Sequence, residues 1–309
     1  MANEKNIEQS ITIAHLSDPH LTSLHGIHFR SLLNKRILGY LSWLKRRRFV
    51  HRREILDALE RDLKQQNPNH IVVTGDLTHI GLPDEFCQAR RWLESLGSSE
   101  SVTVIPGNHD VYVERPWQEN YLHWQSYMLS DEGNSEEVGV KAFFPSVRRR
   151  GSVVIIGLSS AVASAPFFAT GKVGEWQLKK LAAILKKTAK ESLFRIVLIH
   201  HPPLPGIEKW RKRLVDIEPF LTILKQYGAE LVLHGHGHTA VSNVIETAAG
   251  NTPVIGVASA SSAGTRAGKT AGYNIYRITP SKDGWQLEVA ERVWRAAQNR
   301  FVSAGKKEI

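Results

Sequence analysis

Short runs of Val, Ile and Leu alternate along the chain with segments whose apolar residues recur every three or four positions. That alternation predicts a layered α/β protein rather than a helical bundle or an all-β sandwich. Strands are expected near 11–15, 71–74, 102–105, 153–158, 195–199, 231–233, 254–257 and 273–278, and helices near 53–64, 83–96, 175–187 and 214–227. No repeat of solenoid length and no low-complexity tract divides the chain, so residues 1–309 read as a single domain, with 291–309 as a C-terminal tail.

The first predicted strand is followed by an insertion, 29–53. Phe29, Leu32, Leu33, Ile37, Tyr40, Leu41 and Leu44 recur there at helical spacing, and Arg30, Lys35, Arg36 and the run 45–48 add positive charge. A helix packed on the domain by its apolar stripe has this pattern, and so does a basic lid lying on an anionic membrane surface. Nucleic acid is not the expected partner, because stacking aromatics are not interleaved with the bases.

The formal charge of +10 extends the preference for anions to the whole surface without choosing among phosphate substrates, nucleic acid and lipid. Clusters at 148–150 and 209–213 either extend the basic face of the insertion or are simply solvated bases. The single cysteine, Cys87, excludes an internal disulfide and a thiolate zinc site, which fits a reducing, cytoplasmic setting. Residues 1–10 are polar and lack the apolar core of a signal peptide. The uncharged stretch 151–171 is interrupted by Ser159, Ser160, Ser164 and Pro166, which suits a buried strand and loop better than a membrane span. The protein is therefore expected in the cytoplasm, peripheral to a membrane if the insertion touches lipid.

Polar residues capable of chemistry fall just after predicted strands, where an α/β sheet forms its ligand crevice. They are Asp18 and His20, Gly75-Asp76, Gly107-Asn108-His109-Asp110, His200-His201 and His234-Gly235-His236-Gly237-His238. Among 14 histidines no single one marks a site, but five such blocks together do. Carboxylate, amide and imidazole donors without thiolate suit Mn, Fe or Zn. Seven donors of these kinds would exceed the needs of one ion and match two ions about 3.5–4 Å apart.

In this order and spacing the blocks resemble the calcineurin-like metallophosphoesterase family, over about 11–278. The resemblance implies a four-layer αββα sandwich with two central mixed sheets flanked by helices. It implies that Asp18, His20 and His238 hold one divalent ion, that Asn108, His200 and His236 hold the other, and that Asp76 bridges them. His200 rather than His201 matches the ligand, since it ends an apolar strand; His201 is then a candidate either to support the ligands from behind or to face the substrate. A hydroxide between the ions would attack phosphorus, with Asn108 and His109 facing the phosphate, His109 protonating or stabilising the departing oxygen, and Asp110 restraining that imidazole.

The stretch 264–270 looks like a phosphate-binding loop, but Ala263 stands where the motif requires glycine and a strand follows instead of a helix. A loop at the mouth of the site is expected there, with Arg266 and Lys269 meeting substrate anions. Substrates of the family range from phosphoproteins and cyclic nucleotides to nucleic-acid ends and nucleotide-linked lipids, so the motifs fix a reaction class and not a substrate. The basic insertion is similar to the lid of UDP-diacylglucosamine hydrolases, which favours a pyrophosphate-linked lipid. A cyclic-nucleotide phosphodiesterase is the alternative enzyme, and a metal-binding regulatory module without turnover the alternative of another class; no protein partner is predicted.

Overall fold

A computed structural model describes residues 10–21, 24, 27–114, 121–132, 139–264, 269–282 and 284–309. The strands, in chain order, are β1 (Ile11–Leu16), β2 (His70–Val73), β3 (Val102–Val104), β4 (Ser146–Arg150), β5 (Val153–Gly157), β6 (Phe194–Leu198), β7 (Leu231–His234), β8 (Val241–Thr247), β9 (Gly250–Gly256), β10 (Gly272–Ser281), β11 (Gly284–Arg295) and β12 (Arg300–Glu308). They form two mixed six-stranded sheets, β12-β11-β10-β1-β2-β3 and β4-β5-β6-β7-β9-β8. In the first, β1, β2 and β3 run parallel while β10, β11 and β12 add an antiparallel half; in the second, β5, β6, β7 and β9 are parallel and β4 and β8 are antiparallel edges.

Alternation along the strands explains the layering. Val153 and Ile155 of β5 join β1, β2 and β3 in the core between the sheets, whereas Val154 and Ile156 point the other way, against Leu178, Leu181, Phe220 and Leu224 of the helices Glu175–Thr188 and Ile217–Tyr227. The helices Arg53–Gln66 and Pro83–Leu96 contribute Leu56, Leu59, Phe86 and Trp92 to the first core. Pro83 opens its helix at the position that lacks a hydrogen-bond obligation, and Glu85 accepts from the backbone N–H of His79, Ile80 and Leu82, fixing the loop ahead of it. The expected two-sheet sandwich with flanking helices is present.

Three readings are corrected. Residues 291–309 are no tail: they finish β11 and form β12, which pairs with β11 from Glu288↔Glu308 to Arg295↔Arg300. The cluster 148–150 lies on β4, and Arg148 is buried, donating to the carbonyls of Leu129, Val102 and Ser126. The insertion is a short helix, Arg36–Ser42, continued by a π-helical turn, Trp43–Arg47, and its apolar residues part into two sets. Leu32 and Trp43 are buried against Leu24, Ile80 and Leu82, while Leu33, Ile37 and Leu41, spaced four apart, stay exposed. Arg36 is buried too, donating to the carbonyls of Ile80 and Gly81, so the segment is locked to the domain.

His70 gives the fold a measurable acid sensitivity. It is buried beside Thr103, with Nε2 2.7 Å from Oγ1, and burial, followed by Arg150 and Arg148, lowers its pKa from 6.5 to about 3. The unfolded chain takes up this proton near pH 6.5 and the folded chain does not, so stability is full above that value and falls as pH drops toward 3. At pH 5 the loss is about 2 kcal/mol. His70→Leu should remove that share: in urea titrations, the stability difference between wild type and variant should narrow by about 2 kcal/mol between pH 7.5 and pH 5.

Candidate metal centre

The expected ligands converge from five strand ends. Asp18 and His20 follow β1, Asp76 follows β2, Asn108 follows β3, His200 follows β6, and His236 and His238 follow β7. Each loop must turn sharply to aim its side chain inward. Asp18, His20, Asp76, His236 and His238 accordingly adopt positive φ, between 40° and 67°, a region costly for any residue with a Cβ. Strain concentrated on the same side chains that converge marks a site rather than a packing detail. Gly107 and Gly235 supply clearance: a Cβ on Gly107 would collide with the Asp76 carboxylate, and one on Gly235 with Ser17 and Asp18.

The donors form two groups that share Asp76. In the first, His238 Nε2 lies 3.1 Å from Asp18 Oδ1 and 3.3 Å from His20 Nε2, which is 3.8 Å from Asp76 Oδ2. In the second, Asn108 Oδ1 is 2.9 Å from His236 Nδ1 and 3.2 Å from His200 Nε2, which is 3.5 Å from Asp76 Oδ1. Backbone carbonyls set the ring orientations: His20 donates from Nδ1 to Thr78 at 3.0 Å, and His200 from Nδ1 to Thr74 at 2.6 Å, leaving both Nε2 atoms to face the center of their groups. Asp18 Oδ1 is buried without a hydrogen bond despite the nearness of His238, the arrangement expected of lone pairs directed at a cation. The donor set thus fits two divalent ions.

Electrostatics agree with that fit. Burial lowers the pKa of His20 and His236, keeping them neutral as ligation requires. Burial acts on His200 in the same sense but is overcome by Asp76 and Asp18, which raise it to about 9. Burial raises Asp18, and His238, His200 and Ser17 together outweigh it, with a net fall below the usual carboxylate range.

Two neighbours depart from the expected roles. Asp110 does not restrain His109: its buried carboxylate accepts from the backbone N–H of Asp76, Thr78 and Gly107, each at 2.9 Å, and from Thr78 Oγ1 at 3.0 Å. The imidazole of His109 is held instead by the His79 carbonyl, 2.5 Å from Nδ1. His201 is buried with Nδ1 at 2.8 Å from Ser160 Oγ and Nε2 at 3.3 Å from the Ala169 carbonyl, so neither nitrogen is left for substrate. Arg266 lies outside the described residues. Lys269 does line the cleft.

The insertion supplies residues that local pattern did not reveal. The cleft over the two groups is lined by Arg46, Arg47, Lys209, Arg211, Lys212 and Lys269, together with Glu208. Arg47 reaches across 62 residues of sequence to place Nη1 3.0 Å from His109 Nε2, and it has no carboxylate partner among the described residues. His51 packs on His20 with ring centroids 4.5 Å apart. Only basic charge in 45–48 was readable; which base turns inward depends on the π-helical turn.

Comparison with known proteins agrees with this geometry. The family model described as calcineurin-like phosphoesterase matches residues 11–240. The chain belongs to that family. Family membership implies divalent metal ions, and the protein has clusters of His and Asp side chains able to hold them, among them Asp18, His20, Asp76 and His238, and His200, His201 and His236. A probable cyclic nucleotide phosphodiesterase of Rhodococcus erythropolis is 24% identical over 73% of this chain and 64% of its own length. A probable cyclic nucleotide phosphodiesterase of a Synechococcus strain is 29% identical over 58% of this chain and 61% of its own length, so the chain spans somewhat under two thirds of each of these two relatives. A glycerophosphodiester phosphodiesterase of Enterobacter lignolyticus is 24% identical over 73% of this chain and 70% of its own length. In fold, the chain is similar to a dimetal phosphatase of Danio rerio, with a TM-score of 0.60 and 12% identity over 95% of this chain and 98% of the other.

Asp110 anchors this center without a donor directed into it. Asp110→Ala leaves three buried N–H groups without their acceptor, which should cost about 3 kcal/mol or more. Thermal unfolding should show the loss, and elemental analysis should find metal content reduced, with Asp110→Asn affected less on both counts.

Proposed function

We propose that this protein is a phosphodiesterase that uses two divalent ions of the Mn, Fe or Zn class. The observation that carries the reading is the position of Asp76, whose two oxygens face two separate histidine groups. Asp18, His20 and His238 would hold one ion, Asn108, His200 and His236 the other, with Asp76 between them. When bound, the pair supplies a hydroxide nucleophile near neutral pH and offsets charge on the phosphate oxygens. Around it, Arg47 would offer a guanidinium lacking a carboxylate partner to a phosphate oxygen, and His109, held between the His79 carbonyl at Nδ1 and Arg47 at Nε2, would stabilise the departing oxygen once substrate draws Arg47 away from Nε2.

The names of the relatives support a cyclic nucleotide or a glycerophosphodiester as substrate. A second reading rests on the rim. Six bases around the mouth exceed the single charge of a simple phosphodiester and suit a pyrophosphate, and the exposed row Leu33, Ile37 and Leu41 beside Lys45 and Arg48 suits an acylated substrate on an anionic membrane. A nucleotide-linked lipid such as UDP-diacylglucosamine has both properties. No helix among the described residues is long and apolar enough to cross a membrane, so contact would be peripheral.

Purified protein should hydrolyse a chromogenic phosphodiester, lose activity to a chelator and regain it with Mn. His109→Ala should lower kcat by about 10²- to 10⁴-fold with metal content unchanged. A metal-loaded protein inactive on every phosphoester offered would replace the enzyme by a binding module. Release of UMP from UDP-diacylglucosamine, with flotation on anionic vesicles that weakens when 45–48 are neutralised, would support the lipid reading; hydrolysis of cyclic AMP without the lipid would support the nucleotide reading.

A further inference from the structure

Asp18, His20, His238 and the shared Asp76 would supply four protein donors to the first ion, whereas Mn and Fe among oxygen and nitrogen donors commonly take six. We propose that His51, delivered by the insertion, is a further ligand of this ion. The inference rests on the two-metal reading above.

Three observations carry it. The donor atoms of His20, His51 and His238 lie within 4.8 Å of one another, and the same two histidines form a second such group with Asp18 and Asp76. His20 and His238 are therefore common to a group with His51 and a group with the two carboxylates. His51 is also held as a ligand is held: Nδ1 is 2.8 Å from Ser261 Oγ, leaving Nε2 unoccupied, just as the Nδ1 atoms of His20 and His200 are bound by carbonyls. Ser261 is in turn 3.4 Å from Ser259 Oγ, which donates to the Asp18 carbonyl at 2.7 Å, so the support of His51 runs back to a residue of the site itself.

The backbone is fixed as firmly. Arg52 N–H donates to the Ser261 carbonyl at 3.1 Å, Ala263 N–H donates to the Val50 carbonyl at 2.8 Å, and His51 and Ser262 form a short antiparallel bridge. A surface helix that only needed to pack would have no use for this stitching at its far end. Its effect is to hold one imidazole against the rings of His20 and His238, at centroid distances of 4.5 and 5.6 Å.

Equilibrium dialysis of the full chain against graded Mn, read by elemental analysis, tests this apart from turnover. Wild type should bind two equivalents; binding of one at most would defeat the two-metal reading itself. In His51→Ala and His51→Gln, one of the two sites should weaken by about 10- to 100-fold while the other is unchanged, and Ser261→Ala should weaken the same site by less. With Co(II) in place of Mn, the visible absorption of His51→Ala should intensify, as coordination falls below six. Circular dichroism matching wild type would show that the variants fold. Two wild-type equivalents with unaltered affinity and an unaltered Co(II) spectrum in both His51 variants would overturn the proposal.

Discussion

The carboxylate of Asp110 is the fixed point of this molecule. It directs no donor into the cleft, yet it gathers backbone N–H groups from the loops after β2 and β3, two of them flanking or belonging to expected ligands. Those loops cannot relax into ordinary conformations, because Asp76 must hold φ near 57° for its side chain to reach both histidine groups. A buried carboxylate with four donors is strongly held, and that tie keeps a strained backbone in place. The geometry of the center thus originates one layer behind it.

What the amino-acid pattern disclosed, and what it hid, follows from the range over which each feature is determined. A buried parallel strand such as β5 is a continuous apolar run, and β6 is one but for Arg195; the polar residue that follows such a run is placed by local chemistry, so Asp18, Asp76 and His200 could be read directly. The edge strands β4, β8 and β12, and β11 beside the last of them, leave many positions partly or fully exposed and break up the apolar runs with polar residues, which conceals them among loop-like segments. Arg148 looked like a solvated base because nothing nearby in sequence announces the carbonyls of Leu129, Val102 and Ser126. Arg47 and His51 are invisible for the same reason: their partners His109 and Ser261 lie 62 and 210 residues away.

The insertion also shows why one amphipathic stripe is not one interface. Its apolar residues exceed what a single face needs. Trp43 and Leu32 fasten the segment beside the loop 80–82, the row 33, 37 and 41 is left outward, and Arg47 and His51 turn toward the histidines. A helical wheel assigns the first two directions only ambiguously. The third arises where the α-helix gives way to a π-helical turn, which rotates the side chains that follow out of the 3.6-residue register.

Strand order has a consequence for synthesis on the ribosome. β1 sits in the middle of the first sheet, parallel to β2 but completed on its other side by β10, which begins at Gly272. His20 meets His238 only after more than two hundred intervening residues have been made. The emerging polypeptide therefore carries an unsatisfied strand edge and scattered imidazoles through most of translation, and the center can capture its ions only when the last third of the chain has been delivered.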